Sequence, residues 1–224
     1  MQVDFRGAVF DADGTLLDSM QVWRNLGERY LRRLGLVPEE GLSARLWPMS
    51  FEQGCAYLAG HYPLGRSVSG IQDGIMRMIE DFYRHEVTLK PGVREFIDEL
   101  RHRDIPMVIA TSGDKELLTA ALSRNGIDGH FSCVFTCAEL STDKRHPEIF
   151  RACAEALGLP PQDVAVFEDV LFALETAKSA GFITFGVEDS SSANDKHRII
   201  HTADYYISDW RKIHIEDSFN DSRK

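Results

Sequence analysis

The chain has 224 residues, 43% of them hydrophobic and 27% charged, a balance typical of soluble globular proteins that excludes a disordered or fibrous chain. Lys and Arg number 25 against 35 Asp and Glu, a formal net charge of −10, so the overall field disfavours nucleic acid and anionic membranes as partners. A phosphate can still bind locally where a cation supplies the positive charge, and the length suits one large domain or a domain with a sizeable insertion.

The opening, MQVDFRGAVF, has no basic stretch followed by an apolar run, and no uninterrupted apolar segment approaches the ~20 residues that cross a bilayer. A cytoplasmic protein is the expectation. The apolar run Gly7 to Phe10 stops at Asp11-Ala12-Asp13-Gly14, as a buried parallel strand does where its carboxyl end meets a site. From about Leu16 to Arg84 there is only helical periodicity. Val22, Leu26, Tyr30 and Leu34 recur every four residues and predict one helix over 20–36. Further helices are expected at Phe51–Gly60 and Ile71–His85, separated by turn signals at Gly35, Pro38, Pro48, Pro63 and Gly65.

Alternation then sets in. Helix Val93–Arg101 is followed by strand Pro106–Ala110, helix Lys115–Asn125 and strand Ser132–Cys137. Helix Pro147–Leu157, strand Val164–Phe167, helix Leu171–Ala180 and strand Phe182–Val187 continue the series. The polar run Asp189–Lys196 reads as a loop, before a weaker strand at Asp204–Ile207. Strands alternating with helices of this length predict a doubly wound, Rossmann-like parallel α/β sheet covered on both faces. Residues 1–16 and 88–215 would form that core, 17–87 an inserted helical cap domain, and 216–224 a frayed tail. The four cysteines, Cys55, Cys133, Cys137 and Cys153, are too few and scattered for a disulfide framework. Cys133 and Cys137 read as small apolar fillers of a buried strand.

The chemistry-bearing residues fall at strand ends. Asp11 and Asp13, at i and i+2, can face one crevice and suit either a hard divalent cation or a division into nucleophile and general acid/base. Thr111-Ser112-Gly113 ends another strand and opens a helix with hydroxyls and free N–H groups, a cradle for an anion. Lys144, before the helix at Pro147, offers a cation. Glu168-Asp169 end the strand VAVF. In a doubly wound sheet all four features converge on the carboxyl edge. The eight histidines show no ligand spacing, and His146 reads as an ordinary exposed first-turn residue.

This set resembles the haloacid dehalogenase superfamily, in particular its phosphatases and β-phosphoglucomutase-like members with a helical cap after the first motif. Phe10 to Ser19 is similar to the first motif, Thr111-Ser112 to the second, Lys144 to the third and Glu168-Asp169 to the fourth. The resemblance implies a Mg²⁺-dependent phosphomonoester hydrolase acting on a small phosphorylated metabolite. Asp11 would be the nucleophile that forms an aspartyl-phosphate, and Asp13 the general acid and base. Thr111, Ser112 and Lys144 would bind the phosphoryl oxygens. Mg²⁺ would be held by Asp11, the Asp13 carbonyl and Asp169, with Glu168 in support.

The chain departs from the family pattern in places. Lys144-Arg145-His146-Pro147 lacks the first proline of the usual Lys-Pro-x-Pro, and Val170 and Ala173 replace the usual Ser and Gly after the fourth motif. Mutase relatives tend to carry a His and an Arg where Trp23 and Phe51 stand here. A ring cannot replace a guanidinium fork on a second phosphate, which favours hydrolysis over mutase action. A 2-haloacid dehalogenase is disfavoured by the second Asp. A non-catalytic binding module of the same fold is the alternative from another class. Trp23, Trp47 and Phe51 are candidates to line a substrate pocket, with Arg45 or Gln53 as polar selectors. Nothing in the sequence fixes the oligomeric state.

Overall fold

A computed structural model describes residues 5–213; the expected frayed tail at 216–224 lies outside them. The described chain forms two compact units, one of residues 5–18 with 88–213 and one of Ser19–Val87.

Six strands build the first unit: β1 (Gly7–Phe10), β2 (Met107–Thr111), β3 (Val134–Thr136), β4 (Val164–Glu168), β5 (Ile183–Val187) and β6 (Tyr205–Ile207). They pair in parallel in the order β3-β2-β1-β4-β5-β6. Every residue of β1, β2 and β4 is buried, which is why these strands read as unbroken apolar runs. The pleat sorts their side chains onto two faces. Val9, Val108, Ala110, Val164 and Val166 pack on one face with Ile149, Phe150 and Cys153. On the other, in-register pairing of Phe10 with Phe167 and of Phe167 with Phe185 stacks the rings, with centroids 4.5 Å apart at each step. The same register sets Asp11, one residue past Phe10, beside Glu168, one past Phe167.

The second unit holds α1 (Met20–Arg24), α2 (Leu26–Arg33), α3 (Leu42–Leu46), α4 (Phe51–His61) and α5 (Val68–His85). The single helix expected over 20–36 is broken at Asn25 (φ −117°, ψ 25°). The Asn25 side chain accepts from the Ser43 hydroxyl at 3.1 Å, and asparagine is itself among the weaker helix formers. Gly35, at φ +77°, follows the end of α2 at Arg33, three residues short of the expected end. Helix α3, five residues long, is too short to show a period. Ser67 accepts from the Gly70 N–H at 3.1 Å, so α5 starts three residues before the expected Ile71.

Helices α6 (Val93–His102), α7 (Lys115–Arg124), α8 (Glu148–Leu157), α9 (Leu171–Ser179) and α10 (Lys196–Thr202) belong to the sheet unit. The expected loop at 189–196 is instead a 3-10 turn over Ser190–Asp195 leading into α10. Only Ile199 of α10 is buried, so no apolar repeat announced it. Strand β3 is shorter than Ser132–Cys137; Cys137 is buried beyond its end and Cys133 half-buried before it.

Candidate active site

β1 lies where the strand order changes direction, flanked by β2 and β4, and the crevice at such a point collects the carboxyl ends of the strands. The Asp11 N–H donates to the Phe167 carbonyl at 2.9 Å, continuing the pairing by one residue. Gly14 then turns the chain at φ +89°, a conformation that only glycine adopts without strain.

Asp11 is buried, and one of its carboxylate oxygens pairs with the Lys144 ammonium. The same Nζ donates to Glu168 Oε2 at 2.7 Å. Lys144 is 5% exposed, so the residue that sequence alone also allows as a solvated charge is enclosed by two carboxylates. Asp169 accepts from the Thr15 hydroxyl at 3.3 Å. Oxygens of Asp11, Glu168 and Asp169 lie within 4.8 Å of one another. One ammonium cannot neutralise three buried carboxylates. Burial first, and then Asp11, push the Glu168 carboxyl up to about 7 despite its bond to Lys144. Burial also raises Asp169 well above the usual carboxylate range, reinforced by Asp11, Glu168 and Asp189. Burial alone would lower the Lys144 ammonium, but Asp11 and Glu168 outweigh it and hold the charge on.

Two buried oxygens of this group, Asp11 Oδ2 and Asp169 Oδ2, have no hydrogen-bond partner among the described residues. Orphaned hard oxygens with surplus negative charge match a divalent cation such as Mg²⁺.

The Asp13 carboxylate is not among the three oxygens grouped within 4.8 Å. A Cβ placed on Gly113 would meet Asp13 Oδ2 at 3.1 Å and Thr111 Oγ1 at 3.2 Å, so the absence of a side chain there lets Asp13 approach the end of β2. Thr111 is buried and its hydroxyl oxygen accepts from the Gly113 N–H at 2.9 Å, which leaves the hydroxyl proton for another acceptor. The Ser112 hydroxyl lies 3.4 Å from Cys137 Sγ. Asp114 caps α7 through the Leu117 N–H at 2.9 Å, fixing this turn from behind.

A family model described as haloacid dehalogenase-like hydrolase matches residues 5–181. The chain belongs to the haloacid dehalogenase-like hydrolases. It is 29% identical over 203 residues to hexitol phosphatase A of Escherichia coli (strain K12), covering 88% of this chain and 91% of that one. It is 25% identical over 173 residues to the phosphorylated carbohydrates phosphatase of Thermotoga maritima, covering 77% and 80%. A crystal structure of a Thermotoga maritima protein, provisionally assigned as a β-phosphoglucomutase, superposes with a TM-score of 0.79 at 24% identity over 94% of this chain and 95% of that one. That last match is a likeness of fold. Among the described residues no helix is long and apolar enough to cross a membrane.

The helical unit of this family member has its own cavity of about 400 Å³, which Trp23, Trp47 and Phe51 line together with Met49, Met76 and Ile79. Arg45 and Gln53, the expected polar selectors, do not line it. Arg45 pairs with Glu39 at 3.1 Å and lies over the Tyr57 ring. Gln53 is spent on a capping box with Ser50, its Oε1 accepting from the Ser50 N–H at 2.9 Å. The sequence Ser-x-x-Gln before an apolar helix carried that signal. Sequence reasoning also missed Lys90 and Asp189, which pair at 2.8 Å. No spacing rule connects positions 99 residues apart.

Proposed function

We propose that the chain hydrolyses the phosphomonoester of a small phosphorylated metabolite through an aspartyl-phosphate on Asp11. The observation that carries this is the Asp11 carboxylate: buried, held by Lys144 through one oxygen, and with its second oxygen unpartnered beside two more carboxylates. Asp11 attacks phosphorus as the ester P–O bond breaks, and Asp13 gives its proton to the leaving alkoxide, which departs as an alcohol. Asp13 then takes a proton from the water that attacks the same phosphorus. The P–O bond to Asp11 breaks, inorganic phosphate leaves and the carboxylate is regenerated. Lys144, the Thr111 hydroxyl and the Ser112 N–H hold the phosphoryl oxygens.

A Mg²⁺ ion held by Asp11, Asp169 and the Asp13 carbonyl, with Glu168 in support, supplies charge neutralisation between two anionic partners when bound. Its fit rests on the orphaned oxygens of Asp11 and Asp169. We assign substrate selection to Trp23, Trp47 and Phe51. The names of the relatives point to sugar and polyol phosphates as the first substrates to try, and four unpaired thiols suit the reducing cytoplasm.

The test is phosphate release from sugar phosphates, hexitol phosphates, nucleotides and an aryl phosphate, with Mg²⁺ or EDTA, for wild type and Asp11→Asn. Turnover that needs the metal and falls more than about 10³-fold in the variant is the expected result. Isomer formed only with a bisphosphate activator would replace hydrolysis by mutase action. Mg²⁺ binding without turnover on any substrate would leave a binding module.

A further inference from the structure

Lys90 lies where the chain re-enters the sheet unit. Its N–H donates to the Leu16 carbonyl at 2.8 Å and the Asp18 N–H to the Thr88 carbonyl at 2.9 Å, with Leu17 and Leu89 bridged antiparallel between them. The ammonium, 12% exposed, pairs with the still more buried Asp189. It also donates to the carbonyls of Gly14 and Glu188, the latter at 2.7 Å. An ammonium has three donors, and these partners use all three on two segments more than 170 positions apart, as residues 14 and 188 show.

Gly14 directly follows Asp13. The turn it makes is closed by Gly14 N–H on the Leu17 carbonyl at 3.0 Å and by Leu16 and Leu17 N–H on the Ala12 carbonyl at 3.0 and 2.8 Å. These bonds shape the turn from within, whereas the Lys90 bond ties its Gly14 carbonyl to the segment after β5. Because Lys90 brings Asp189 with it, the tie adds no net charge to a strand edge already short of cations.

Resting on the proposed hydrolysis, we propose that Lys90 is a positioning residue: it fastens the Gly14 carbonyl to the segment after β5 and so holds the Asp13 carboxyl where it protonates the leaving oxygen. An alkoxide leaves badly without a proton, whereas a phenolate of low pKa needs little help. Loss of Lys90 therefore shows as a leaving-group effect, not as a uniform loss.

Lys90→Met and the double variant Lys90→Met/Asp189→Asn, which removes the stranded carboxylate, are assayed for kcat/KM on an alkyl and an aryl phosphate. General acid catalysis contributes about 10²–10⁴-fold, so a misplaced acid lowers alkyl phosphate hydrolysis more than ~10-fold in both variants and aryl hydrolysis less than ~3-fold. Lys90→Arg, which keeps charge and donors, recovers part of the alkyl-to-aryl ratio. Hydrogen exchange of the amides at 14, 16 and 17 accelerates in the double variant while its melting temperature stays near wild type.

Equal losses on both substrates, or wild-type kcat/KM in the double variant, overturn the positioning role. Unaltered exchange overturns the fastening itself. A wild type inactive on every substrate overturns the hydrolase reading, and the exchange measurement then still decides whether Lys90 fastens the turn.

Discussion

Charge is handled in opposite ways at the carboxyl edge of the sheet and in the helical unit. At the edge, Lys144, Asp11 and Glu168 are each no more than 8% exposed at the side chain. In the helical unit Arg33 and Asp81 pair with side chains 52% and 42% exposed, and Arg29 with Glu86 is similar. Solvated pairs of that kind contribute little. Buried carboxylates in excess of their cations cost folding energy, a cost that the proposed hydrolysis accounts for. Apolar groups reverse the pattern. The sheet unit hides its phenylalanine ladder, while the helical unit leaves Trp23, Trp47, Phe51 and Met76 partly exposed around one cavity. The first region concentrates buried charge, the second partly exposed apolar surface.

Lys144→Met strikes hardest at that contrast. Removing the ammonium strands Asp11 and Glu168, and breaking a buried pair costs about 3–5 kcal/mol. On the proposed mechanism the same change also removes a cation from the phosphoryl group, which costs about 10²–10³ in kcat. Urea melts and phosphate-release assays measure both. A comparable change at Arg33 should leave both quantities near wild type, and equal effects at the two lysine and arginine sites would erase the distinction between the regions.

The sheet edge was the more legible region for a physical reason. Every strand of a parallel sheet presents its carboxyl end on the same edge, so the sequence alone leads one to expect Asp11, Thr111, Lys144 and Glu168-Asp169 near one another. What stayed hidden depends on three-dimensional pairing without a local signature. Lys90 reaches Gly14 and Asp189, and nothing in Leu-Lys-Pro-Gly marks that lysine out. Asn25 interrupts the helix expected over 20–36 although the apolar repeat runs straight through it. Gln53, an expected polar selector, instead closes a capping box with Ser50, three residues before it.

Metal binding sharpens the comparison next. Mg²⁺ at 100 times its Kd stabilises a folded protein by about 2.7 kcal/mol, so differential scanning should show a clear rise in melting temperature for wild type. Asp169→Asn should abolish the rise. Asp13→Asn, which keeps its backbone carbonyl, should retain the rise while losing turnover. A rise surviving in Asp169→Asn would move the cation elsewhere.

Smaller effects are expected in the helical unit. Trp47 is 67% exposed, so Trp47→Ala should change stability by no more than about 0.5 kcal/mol while raising KM several-fold. Gln53→Ala should do the reverse, losing about 0.5–1 kcal/mol with its half of the capping box and leaving KM alone. An unchanged KM in Trp47→Ala would remove the cavity from substrate selection.

The smallest effect tests whether a charge in the sheet unit but away from the carboxylate cluster behaves as an ordinary structural ion. Asp204, ahead of edge strand β6, accepts from the Thr184 N–H at 2.9 Å, the Thr184 hydroxyl at 2.8 Å and Lys178 at 2.9 Å. Burial would raise its carboxyl, but these bonds outweigh it and hold it below the usual range. A carboxyl depressed in the folded state contributes stability that is present above its unfolded value of about 3.9 and is lost as pH falls through the folded value. Asp204→Asn should therefore melt below wild type at pH 7, with the gap narrowing once pH drops under about 4. A gap of constant size across that range would assign the contribution to the shape of the hydrogen bonds instead of the charge.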